Sequence, residues 1–182
     1  MTSNIFNLNE HIFTTGHDVV NPNKTIFNPE HSTVKTLKGK DQIIGSSSIR
    51  FNLGVSVEVA AEAIGQGGNP VNSAEFRTKS KLNIDGIINK GNIYTNRGRD
   101  IVSGTATAQI TAIAQTVSEA IAIANTVDAT AVANSLASVE IAAVANGIQN
   151  SGKISTGAGS DTVVGEAIAS VAAVATATID VT

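Results

Sequence analysis

The sequence predicts an all-β chain wound as a parallel β-solenoid, a β-roll or β-helix, with a non-repeating N-terminal cap or arm. Three features predict it: a long internal repeat, segments of strict apolar alternation, and a composition suited to a thin interior.

The repeat is carried by Gly-x-Asp-x-(Ile/Val)-x-Gly, found as Gly39–Gly45, Gly98–Gly104 and Gly159–Gly165, with aspartates 59 and 61 residues apart. The second and third copies agree well beyond the motif. At an offset of 61, Gly86, Ile87, Asn89, Gly91, Ile93 and Thr95 fall on Gly147, Ile148, Asn150, Gly152, Ile154 and Thr156. A shorter recurrence runs inside the long one, in Ala112–Thr116, Ala122–Thr126, Ala131–Ser135 and Ala143–Gly147. Each of these units reads as a short strand turning a corner at Gln115, Asn125, Asn134 or Asn146, because Asn accepts left-handed backbone and bonds its own main chain.

Alternation supplies the strands. From Ser48 to Val59, Ile49, Phe51, Leu53, Val55, Val57 and Val59 share one face, and Arg50, Asn52, Ser56 and Glu58 the other. From Phe76 to Asp85, Phe76, Leu82 and Ile84 oppose Arg77, Lys79, Lys81, Asn83 and Asp85. Period two over such lengths means half-buried strands. The loop Gly65–Pro70 between them leaves a hairpin open as an alternative to consecutive turns of a coil. Residues 105–146 are Ala-rich and lack Gly and Pro, which favours helix, but the Thr, Val and Ile content and the alternation Ala106, Ala108, Ile110, Ala112, Ala114 favour strands. Residues 1–35 lack the repeat and form the cap or arm; residues 36–182 form the solenoid.

With no Trp, one Tyr and five Phe in 182 residues, the interior must be filled by Ala, Val, Ile and Thr, which suits closely approaching backbones. There is no Cys, so disulfides and thiolate metal sites are excluded. Residues 1–13 show no basic stretch followed by an apolar run, and no apolar segment is long enough to span a bilayer. Net charge is +2 through Asp100 and −5 beyond it. That asymmetry suits head-to-tail contact between copies, while nucleic-acid binding calls for a denser basic stripe.

Gly157-Ala-Gly-Ser-Asp161-Thr-Val-Val-Gly165 resembles the nonapeptide of RTX-type, hemolysin-like calcium-binding repeat proteins, and the likeness covers roughly residues 36–182. The resemblance implies a parallel β-roll, export without a cleaved signal, an extracellular or cell-surface setting, and calcium at Asp41, Asp100 and Asp161. In that family the nonapeptides follow one another directly, whereas here each stands alone. Calcium takes six to eight oxygens. With a coil of about 20 residues, successive motifs lie three rungs apart, roughly 14 Å, and share no ion. Only a sixty-residue coil makes the three aspartates neighbours. The alternative role is structural, each Asp accepting backbone N–H groups at a Gly-flanked corner.

His11, His17 and His31, with Glu10, Asp18 and Glu30 nearby, lack zinc-type spacing. Neither a nucleophile elbow nor a phosphate loop is present, so an enzyme is not expected. The expected function is an extracellular structural or adhesive protein that self-associates end to end as a fibre, matrix or surface layer. Two alternatives stand beside it: an RTX-like calcium-binding module that folds on export, and an ice- or glycan-binding face built on Thr105/Thr107 and Thr176/Thr178.

Overall fold

The structure, a computed structural model, describes residues 4–64, 71–123 and 132–181. It is nearly all β. Fourteen strands are described: β1 (Ile5–Asn7), β2 (Val19–Val20), β3 (Thr25–Asn28), β4 (Thr33–Lys35), β5 (Lys38–Gly39), β6 (Gln42–Ile64), β7 (Val71–Asn89), β8 (Asn92–Tyr94), β9 (Arg97–Gly98), β10 (Ile101–Ile123), β11 (Val132–Asn150), β12 (Lys153–Ser155), β13 (Ala158–Gly159) and β14 (Thr162–Val181). Among the described residues the one helical element is a 3-10 turn at Leu8–Glu10.

These strands stack into four sheets, ordered β1-β3-β7-β11, β14-β10-β6-β2, β12-β8-β4 and β13-β9-β5. Every described ladder is parallel and joins residues one turn apart. Ile26 pairs with Ile87, Val34 with Ile93, Gly39 with Gly98, and Ile93 with Ile154. This is the arrangement of a parallel β-solenoid, as the repeat and the alternation predict.

Of the two coil lengths weighed from the sequence, about 20 residues and sixty, the later coils have the longer one. Successive turns bring together residues 59 and 61 apart, as in Asp41 with Asp100 and Asp100 with Asp161. Only the first turn is short, joining Asp18 to Asp41 across 23 residues. The later coils lengthen by extending strands, not by adding corners, because a strand of any length keeps its side chains alternating in and out.

The same fact corrects the corners. Gln115 lies inside β10, and Asn134 and Asn146 lie inside β11. Asn125 and most of Ala122–Thr126 fall outside the described residues, as does the loop at 65–70. In β10 the even positions from Val102 to Ser118 are buried, so Gln115 faces outward. Left-handed corners occur instead at Asn23 (φ 54°) and His31 (φ 62°). The hairpin alternative is also corrected, since β6 and β7 belong to different sheets. Over its described part, residues 105–146 is strand and not helix.

By contacts the chain divides into two units. The first comprises Met1–Arg50, Leu82–Gln109 and Ala143–Ser170. Its core is a cluster of Leu8, Phe13, Val20, Ile26, Val34, Ile43, Ile87, Ile93 and Val102. Full burial of one such aliphatic side chain contributes about 1.5–3 kcal/mol. A second, smaller cluster holds Ile84, Ala106 and Ala108, with Leu82, Ala143 and Ala145 against it. Between the clusters the backbones meet: a methyl group at Gly45 would overlap the Gly86 carbonyl, and one at Gly104 the Gly147 carbonyl. These glycines are required by close approach, not by a turn.

The second unit comprises Phe51–Lys81, Ile110–Ala142 and Val171–Thr182. Its most buried described side chains are Ala74, Ile110, Ala112, Ala114, Thr116 and Ser118. Ser135 Oγ bonds Thr116 Oγ1 at 2.7 Å and the Thr116 carbonyl at 2.9 Å, which satisfies the polar groups of a thin interior. On the outer face Lys79 pairs with Glu140 at 2.7 Å.

Candidate functional site

The three motif aspartates come together, because one sixty-residue stretch is one coil. Gly39 and Gly98 allow the approach: a side chain at Gly98 would overlap the Gly39 carbonyl, and one at Gly159 the Gly98 carbonyl. Gly39 also holds φ 154° and Gly159 φ 144°, where L side chains are strained. With the glycines in contact, the Asp two residues on reaches the neighbouring turn. Asp18 N–H donates to Asp41 Oδ1 at 2.9 Å, Asp41 N–H to Asp100 Oδ1 at 2.9 Å, and Asp100 N–H to Asp161 Oδ1 at 3.0 Å. The next residue completes each step, as Gln42, Ile101 and Thr162 N–H donate to the carbonyls of Asp18, Asp41 and Asp100, all at 2.8 Å.

Asp18 is the member that sequence reasoning missed. Gly16-His-Asp18-Val-Val20 carries the first half of the motif, and its signal is the Gly-x-Asp-x-Val core without the closing glycine. The ladder begins there: Thr14 N–H donates to Asp18 Oδ2 at 2.7 Å and Thr14 Oγ1 lies 3.1 Å from both carboxylate oxygens.

A second ladder runs beside it. Asn28 Nδ2 donates to Asn89 Oδ1 at 2.7 Å and Asn89 Nδ2 to Asn150 Oδ1 at 2.6 Å. The first end is again closed, by Ser32 Oγ on Asn28 Oδ1 at 2.6 Å. Asn28 and Asn89 are fully buried, and each stacked amide satisfies its neighbour. The spacing of 61 between Asn28 and Asn89 equals that between Asn89 and Asn150, which is the signal the sequence held for it.

Asp41 and Asp100 are each only 1% exposed, and Oδ2 of both is buried without a hydrogen-bond partner; Thr36 Oγ1 shares that condition. Desolvation pushes the Asp100 carboxyl above its ordinary range. The Asp41 N–H opposes the shift, the Asp41 and Asp161 charges add to it, and the Thr95 hydroxyl pulls back weakly.

These oxygens do not fit calcium. Each Oδ1 is committed to a backbone N–H, which leaves a single carboxylate oxygen per turn against the six to eight that calcium takes. Among the described residues no group of three or more His, Asp or Glu side chains is arranged to hold a metal ion. The histidines are scattered in role. His11 packs edge-on to Phe13 at 4.7 Å, and His31 lies 3.8 Å from Glu30 on the surface. The Thr105/Thr107 and Thr176/Thr178 pairs fall in different units.

Comparison with protein-family models, with curated proteins and with solved structures finds no match to this chain, and nothing in it identifies an RTX-type family.

Proposed function

We propose that the chain is a structural, non-catalytic solenoid, working outside the cell, that associates with further copies of itself through the sheet edge carried by β14. The observation that carries this reading is the character of that edge. β14 has one strand neighbour, β10, and its twenty residues include no Lys, Arg or Pro. Val163, Ile168, Val171, Val174 and Ile179 along it are exposed. Edge strands are ordinarily blunted by Lys, Pro or a bulge, and a long unblunted one templates another strand.

At the opposite end of the first unit the edge strands β1, β2, β4 and β5 are only two or three residues long. Thr14 and Ser32 terminate the two ladders, and Leu8 and Phe13 are buried there. Pairing of two β14 edges is therefore favoured over head-to-tail stacking. The non-catalytic reading draws support from the aspartates, whose Oδ1 atoms are spent on main-chain N–H groups.

Sedimentation velocity over a concentration series tests the proposal. The wild type is expected to gain mass with concentration, while Ile168→Lys/Val174→Lys stays monomeric with an unchanged circular dichroism spectrum. A wild type that remains monomeric at the highest concentration overturns it. The competing calcium reading expects a higher melting temperature at millimolar calcium; the present reading expects none.

A further inference from the structure

Seven of the twelve Lys and Arg residues fall in three ten-residue stretches, 31–40, 90–99 and 151–160, and none of the fifteen Asp and Glu residues does. The fold stacks these stretches on one another. They form the ladders β4-β8-β12 and β5-β9-β13, with Lys38 in register with Arg97, Lys35 with Tyr94, and Lys153 with Asn92. Lys35, Lys38, Lys40, Lys90, Arg97, Arg99 and Lys153 are all exposed. The ion pairs among the described residues use other side chains: His31 with Glu30, Arg77 with Glu75, and Lys79 with Glu140. Of the aspartates that follow the three stretches, Asp41 and Asp100 are buried in their ladder and Asp161 is half-buried, so the stretches themselves carry no acid. A chain of net charge −3 thus carries a wholly cationic strip on its first unit.

The strip is grooved. A depression of about 550 Å³ is lined by Thr33, Lys35, Tyr94, Asn96, Ser155 and Thr156 among others. A second, of about 400 Å³, is lined by Lys38, Arg97, Leu37 and Thr15 and shares Asn96 with the first. The Lys153 ammonium lies 5.2 Å from the centre of the Tyr94 ring. Lys38 and Arg97 thus stack as neighbouring cations about 4.8 Å apart, with Ala158 next in that row, while Lys35 and Lys153 stand in rows shared with Tyr94 and Ser155 and with Asn92 and Thr33.

From this we infer that the β4-β8-β12 and β5-β9-β13 faces form a binding site for a linear acidic polysaccharide. Its carboxylates meet Lys35, Lys38 and Arg97, and the Arg97 guanidinium offers the bidentate geometry that carboxylates fit. Its hydroxyls meet Thr33, Asn96, Ser155 and Thr156. Its apolar ring faces meet Tyr94. Charge complementarity selects this occupant, since the strip holds no acid that would repel it. Single-stranded nucleic acid is disfavoured because it is gripped by several stacking aromatics, and the strip holds one, Tyr94. The site is independent of self-association, since none of its residues lies on β14.

Isothermal titration of the 182-residue protein with alginate at low ionic strength, at a dilution where it is monomeric, tests the inference. Neutral dextran and a single-stranded DNA oligonucleotide of matched charge serve as the comparison ligands. Alginate is expected to bind with salt-dependent affinity, dextran not at all, and DNA more weakly than alginate. Lys38→Ala/Arg97→Ala should weaken alginate binding by about tenfold or more. Lys79→Ala/Arg77→Ala, equal in charge removed but on β7, should leave it unchanged. Absence of alginate binding overturns the inference. So do DNA binding as tight as alginate and equal loss in the two variants, provided circular dichroism shows both folded.

Discussion

The two units are built from the same long strands, yet they specify their structure by different means. The first packs branched aliphatics such as Ile26, Ile43, Ile87 and Ile93 and threads two polar ladders through 18–161 and 28–150. The second packs Ala112, Ala114, Thr116 and Ser118, and its described interior bonds are those of Ser135 with Thr116. A ladder of identical side chains fixes which turn meets which, since a slip by one residue breaks every bond in it. Alternation alone fixes only which side faces in. Register is therefore set by individual side chains in the first unit and by continuity of the strands in the second.

The largest expected effect sharpens the role of close approach. Gly98→Ala puts a methyl group onto the Gly39 carbonyl, so the two turns must separate and both flanking Asp bonds are lost. A loss of about 4 kcal/mol or more in chemical denaturation is expected, in the exceptional range for one substitution. Next comes a contrast in what each interior tolerates. Ile87→Ala should cost about 2–5 kcal/mol by opening a cavity. Ala114→Leu should cost about 1–3 kcal/mol by overpacking. If truncation in the first unit and enlargement in the second prove equally harmless, the distinction between the interiors fails.

The smallest effect is a pH dependence. Asp100 has a folded pKa raised above its unfolded value. Its contribution to stability is therefore present at low pH and lost as pH rises through the folded pKa. Asp100→Asn keeps an oxygen to accept the Asp41 N–H but cannot ionise. Its stability relative to wild type should thus improve as pH is raised from about 4 to 7, measured by urea denaturation at several pH values. A difference that stays flat across that range would contradict the buried charge.

The fold class was legible because alternation and the recurring Gly-x-Asp-x-(Ile/Val)-x-Gly are local signals. Coil length was not, because lengthening a strand by an even number of residues leaves the in–out pattern intact. Thus Ile49, Phe51 and Leu53 read alike for a short or a long turn. The Ala-x-Ala-Asn recurrence misled for a related reason. Gln115, Asn134 and Asn146 occupy outward positions of β10 and β11, where polarity is ordinary, and Asn146 Nδ2 bonds Asp85 Oδ1 there at 2.7 Å. The aspartates were found, but their use was not: it depends on which turn stacks on which. The basic strip was hidden in the same way, its cations scattered over 35–153 in sequence and gathered only by the sixty-residue turn.

That turn length is open to direct measurement. The chain has no cysteine, so Arg50→Cys/Gln109→Cys introduces a single pair at positions whose side chains bond across neighbouring strands, at 2.9 and 3.1 Å. Adjacent strands place Cα atoms within the span a disulfide bridges. Mild oxidation should give an intramolecular disulfide in high yield, mapped by peptide mass spectrometry without loss of the β-sheet spectrum. A pair that stays reduced, or that links only separate molecules, would contradict a coil of about sixty residues.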